Sequence, residues 1–152
     1  MPEQDLELEI STANDTYAFP GSLVVEIRLT NAGRSPLYLY RYGLEVGLQL
    51  YLEVLDEEGH TLLVPPLVNV EPDLSRDHFL ELAPQQSWVL TIDIGPMLES
   101  GLTWVSPVIL VRFSYSGRRY GDYAREKHHI NAFSGQVVSN QLRFHLRPQT
   151  DR

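Results

Sequence analysis

The chain has 152 residues, 43% of them hydrophobic, no cysteine, and a formal net charge of −8 at pH 7. It is too apolar for a disordered segment and too acidic for a protein whose main partner is nucleic acid. The missing cysteines exclude disulfide frameworks, thiolate metal sites and cysteine nucleophiles, and a single domain of this length (1–152) buries enough surface to fold without a metal.

A two-residue alternation runs through the chain. Leu6, Leu8 and Ile10 predict a first strand over 6–10, since alternate side chains on a strand share one face. A polar stretch over 11–16 and a turn at Phe19-Pro20-Gly21-Ser22 follow. Strands are predicted over 23–30, 37–42, 48–55 and 61–64, with hairpin chemistry at Asp56-Glu57-Glu58-Gly59 and a stop at Pro65-Pro66. The weakly patterned 67–76 reads as a loop. Short strands over 79–82 and 88–94 come next, then one helical turn over 96–100 opened by Pro96. A strand over 108–115, a long polar and aromatic loop over 117–133, and a final strand within 135–146 complete the chain. No amphipathic helix of ten residues is legible.

Eight or nine such segments with regular turn signals predict an all-β fold, an antiparallel sandwich with a closed barrel as the competing architecture. Three stretches carry a resemblance. They are Val25-Glu26-Ile27-Arg28-Leu29-Thr30-Asn31-Ala32-Gly33, Phe79-Leu80-Glu81-Leu82-Ala83-Pro84-Gln85-Gln86-Ser87-Trp88, and Gly135-Gln136-Val137-Val138-Ser139-Asn140-Gln141-Leu142-Arg143-Phe144. The set resembles bacterial immunoglobulin-like accessory domains and intracellular proteinase inhibitors of similar fold. That resemblance implies an immunoglobulin-like β-sandwich of about eight strands, without the cysteine pair of antibody domains. It carries no function with it.

No run reaches the roughly 18 apolar residues of a membrane span. The first ten residues are acidic and alternating, not basic and then apolar, so a cytoplasmic protein with no membrane partner is expected. Charge is unevenly spread. Residues 1–111 hold 17 acids and 4 bases, residues 112–152 hold 3 acids and 8 bases. Interleaved strands would blur that split in space; otherwise a basic patch lies near the C-terminal loop.

Catalytic and metal signals are weak. None of the serines sits in a Gly-x-Ser-x-Gly elbow, and no phosphate-binding glycine loop is present. Adjacent His128 and His129 would diverge on a strand but could share an ion on a loop; Asp77-His78 is a second thin ligand pair, and His60 and His145 read as solvated. The acidic clusters Asp56, Glu57, Glu58 and Glu71, Asp73, Asp77 lack calcium-loop spacing. No catalytic residue, metal or cofactor is expected.

The best candidate site is the 117–133 loop, with Arg118, Arg119, Tyr120, Tyr123, Arg125, Lys127, His128 and His129. Arginine and tyrosine dominate binding hot spots, and loops of this length are usually functional or disordered. The expectation is a non-catalytic module that presents this loop to another protein of acidic or mixed charge, with inhibition of a protease or toxin as one version. The runner-up is carbohydrate binding on Tyr38, Tyr40, Tyr42 and Trp104; an enzyme with an unrecognised site ranks third.

Overall fold

The computed structural model describes residues 5–41, 50–63, 74–101 and 107–148, less the side chains of Arg119 and Pro148. Among them run β1 (Leu6–Ser11), β2 (Thr16–Phe19), β3 (Val24–Asn31), β4 (Leu37–Tyr40), β5 (Leu50–Leu55), β6 (Thr61–Leu63), β7 (Phe79–Leu82) and β8 (Ser87–Asp93). Helix α1 (Gly95–Gly101), β9 (Val108–Ser116), helix α2 (Arg118–Lys127), β10 (Gln136–Val138) and β11 (Leu142–Pro148) follow. The fold is mainly β, as the alternation predicts, with eleven described strands where about eight were expected.

Three sheets form. One is antiparallel, in the order β1-β3-β8. The second runs β2-β11-β9-β5-β6, with β10 also on β9. Its β2 pairs parallel to β11, so it is mixed. Leu8, Ile10, Val25, Ile27 and Leu29 from the first meet Leu50, Leu52, Val54, Val111, Phe113 and Phe144 from the second in one core. Each such side chain contributes about 1.5–3 kcal/mol by leaving water.

The third sheet is the ribbon β4-β7. It continues the β3-β8 ladder past a corner, since Thr30 faces Ser87 on one side of the break and Leu37 faces Leu82 on the other. Asn31 fills the corner and is 1% exposed. Its Nδ2 donates to the carbonyls of Ser35 and Leu82, both at 2.9 Å, and its Oδ1 accepts from the Gly33 N–H at 3.0 Å. Its main chain closes the opposite turn: its N–H donates to Gln86 and its carbonyl accepts from Gln85, a non-glycine residue at φ 66°. The ribbon therefore has two buried faces. Leu37, Leu39 and Leu82 join the main core, while Tyr40 and Phe79 turn to a second cluster.

Four expectations need correction. The polar stretch before the Pro20 turn ends in a strand, β2, because Thr16 to Phe19 find a partner in β11. The single C-terminal strand is two, β10 and β11, divided where the Ser139 hydroxyl accepts the Phe113 N–H and the Asn140 amide turns to Ile10 of β1. The helical turn at Pro96 is a seven-residue helix, α1. The 117–133 loop holds a ten-residue helix, α2. The expected 67–76 loop lies mostly outside the described residues, which close with a 3-10 turn over Arg76–His78. No helix among the described residues is long and apolar enough to cross a membrane.

Two measurements test this frame. Asn31→Ala strands buried carbonyls and an N–H at the corner, so urea unfolding should show a loss of about 2–3 kcal/mol; a loss under about 0.5 kcal/mol would detach the corner from stability. The second concerns Asp93, whose pKa is held below the ordinary carboxylate value by the Leu23 N–H, then by the Gly95 N–H and the Ser22 hydroxyl. A depressed carboxylate contributes stability that is present above the unfolded pKa near 4 and lost as pH falls through the folded value. Asp93→Ala should cost about 1 kcal/mol at pH 7, discounted for its exposed position. The gap to wild type should narrow as pH falls below the unfolded pKa near 4 in thermal melts.

Candidate functional site

The second cluster explains why a segment with so few apolar residues is helical. Tyr120 and Ala124 lie one turn apart and are buried with Tyr40, Phe79, Ile130 and Ala132, while Tyr38 and Leu74 pack against them. Tyr40 stacks at 4.9 Å from Tyr120 and 5.3 Å from Phe79. Gly117 and Gly121 repeat the same four-residue spacing. A Cβ on either would land on the Phe133 carbonyl oxygen, so the missing side chains let α2 lie directly on the following chain. The helix ends with His129 at φ 55°, in the left-handed position usually given to glycine.

Tyr115 ties this cluster to the main core. Its ring lies 5.8 Å from Phe133, and its hydroxyl is hydrogen-bonded to the Tyr40 main chain. Burial, only partly opposed by that bond, pushes its pKa well above the ordinary tyrosine value.

The eight expected binding residues therefore divide. Arg118, Lys127 and His129 are exposed, and Tyr123 is 39% exposed. Arg119 lies on α2, but its side chain is outside the described residues. Tyr120 is corrected: at 4% exposure it anchors the helix and offers nothing to a partner. Arg125 and His128 are half-buried structural ties. Arg125 Nη1 donates to Asn131 Oδ1 at 3.2 Å, and His128 Nε2 lies 2.7 Å from the Leu74 carbonyl. The His128 ring also sits edge-on between Phe79 and Tyr123, at 6.0 and 5.7 Å. Asp122 and Glu126, which the sequence reading passed over, are exposed on α2, so its outer surface is of mixed charge.

Two residues of the aromatic row expected for carbohydrate, Tyr38 and Tyr40, are described, and neither is exposed. Tyr40 is 3% exposed because both faces of β4 are buried. Tyr38 is half-buried with Arg76 stacked over its ring at 5.8 Å. Tyr42 and Trp104 lie outside the described residues.

Among the described residues one group places metal-type ligand atoms together: Asp56, Glu58 and His60, all within 4.8 Å. The hairpin itself uses Asp56. One oxygen accepts from the Glu58 and His60 N–H groups at 2.9 and 2.8 Å, and the other meets His60 Nδ1 at 3.0 Å. Burial works to raise the Asp56 pKa, but these bonds outweigh it and hold the carboxyl below its ordinary value. The arrangement reads as a self-capped turn. Of the second acidic cluster, Glu71 and Asp73 are outside the described residues and Asp77 is exposed.

If the glycine pair seats α2, Gly121→Ala should lower stability by about 1–3 kcal/mol in urea unfolding. It should also change the near-ultraviolet circular dichroism of the Tyr40–Phe79–Tyr120 cluster. Wild-type values for both would mean that the helix has room to spare. The chain matches no model of a known protein family, and comparison with curated proteins finds no similar sequence.

Proposed function

We propose that this protein is a non-catalytic binding module, an immunoglobulin-like β-sandwich that engages another protein through the outer face of α2. The layered order β1-β3-β8 over β11-β9-β5 supports the sandwich reading. One observation carries the functional reading. The inner face of α2 is committed to packing by Gly117, Tyr120, Gly121 and Ala124, while Arg118, Asp122, Tyr123, Glu126 and Lys127 face solvent. A rigid helix holding a tyrosine and a lysine one turn apart has the composition and low ordering cost of a binding hot spot.

Burial along the whole helix favours a face-to-face contact over a loop inserted into a protease cleft. The mixed charge of the face fits a partner surface of mixed or acidic charge. Pairs of this kind act more on encounter rate and specificity than on affinity.

The test uses Tyr123→Ala combined with Lys127→Glu; the first gives up the edge-on contact with His128 and should cost about 1 kcal/mol, the second less than about 0.5 kcal/mol, so the double variant stays folded. A partner captured by wild type, identified and purified, should bind the double variant at least tenfold more weakly in calorimetry. The wild-type complex should also weaken as salt is raised. Unchanged affinity in a folded double variant would overturn the assignment of this face.

A further inference from the structure

A cleft of about 460 Å³ opens on another part of the molecule, with Asp5, Leu6, Glu7 and Gln136 in its lining. It lies where β1, an edge of the first sheet, comes beside β10, on β9 of the second. Its size falls within the roughly 300–1,000 Å³ of ligand clefts.

The strand registers say which main-chain groups face away from their own sheets. The Ala32 N–H donates to the Asp5 carbonyl, so Asp5, Glu7 and Glu9 bond towards β3 and the groups of Leu6, Leu8 and Ile10 point outward. The Asn140 amide confirms that parity. Its Oδ1 accepts from the Ile10 N–H at 2.8 Å and its Nδ2 donates to the Ile10 carbonyl at 2.9 Å, as a neighbouring strand would. Either side of β10, the Gly135 carbonyl accepts from the Gly117 N–H and the Ser139 N–H donates to Phe113 of β9, which turns the groups of Gln136 outward. Leu6 and Gln136 both line the cleft, and among the described residues nothing bonds their outward groups.

Charge selects the occupant. Asp5 and Glu7 are exposed at the cleft, two residues apart and so on one face of the strand, and no ion pair holds either among the described residues. We propose that this cleft binds a short extended peptide bearing lysine or arginine at alternate positions. The peptide main chain bonds to the outward groups of Leu6 and Gln136, and its basic side chains meet Asp5 and Glu7. Asn140 closes the edge at Ile10 and limits the site to the start of β1. This surface is separate from the outer face of α2.

The experiment is fluorescence anisotropy on the full chain with a labelled heptapeptide of alternating valine and lysine. Saturable binding that weakens at least fivefold between low and high salt is expected, with tenfold or greater weakening in Asp5→Asn/Glu7→Gln. The same peptide N-methylated at alternate amides should lose binding at least tenfold. No saturable binding, equal binding of an alternating valine–glutamate peptide, or indifference to N-methylation would overturn the proposal. So would a concentration-dependent dimer in ultracentrifugation that the double variant abolishes, since it would give this edge to a second copy of the chain.

Discussion

The buried side chain of Asn31 sets the corner on which the rest of the molecule depends. A ladder that simply continued from β3 into β4 would stay in one sheet. Here the chain leaves the ladder for five residues, and the main-chain groups freed there have to be met without water. The Asn31 amide meets three of them, and its own main chain closes the facing turn at Gln85 and Gln86. An aspartate would lack the donor and a leucine both functions. Because the ladder bends, Leu37 and Leu39 still reach the main core while Tyr40 is turned outward into a second one. Without that second surface Tyr120 and Ala124 of α2 lose their partners Tyr40 and Phe79.

The strands were legible because each has a dry face and a wetter one. The pattern is cleanest in β1 and β3, where burial alternates residue by residue. It misleads at β4. Alternation between Leu37, Leu39 and the tyrosines reads as one buried and one open face, but the ribbon has a core on each side. Helix α2 was illegible for a different reason. One of its inward positions is Gly121, which disfavours a helix by propensity and, with Gly117 at the N-cap, is needed for close approach. Against six charged residues in ten, Tyr120 and Ala124 give too thin an apolar stripe to detect. Strand β2 was hidden because its parallel partner, β11, lies at the far end of the chain.

Topology also resolves the uneven charge. The acidic and basic parts of the sequence supply neighbouring strands of one sheet, and Glu53 on β5 forms a two-pronged pair with Arg112 on β9 at 2.7 and 2.9 Å. Glu57 likewise meets Arg143 of β11 at 2.7 Å. These pairs are partly exposed, and each is worth no more than about 1 kcal/mol. Their effect is on distribution: they cancel the basic excess where the sheets interleave. Charge stays uncancelled at the ends of that overlap, on α2 and beside Asp5 and Glu7.

Most of the side chains that carried chemical promise in the sequence turn out to be held by local structure. Asp56 caps its own hairpin, His128 braces the chain at Leu74, and Tyr40 and Tyr120 fill a core. A side chain whose polar atoms are already bonded has to break those bonds before it can bind anything else. Binding is therefore easiest where packing is finished on one side and nothing is held on the other. The outer face of α2 meets that condition through its side chains, above a helix already fixed by glycine contacts. The start of β1 meets it through its main chain, where the ladder has used every second residue and left the alternate ones turned away.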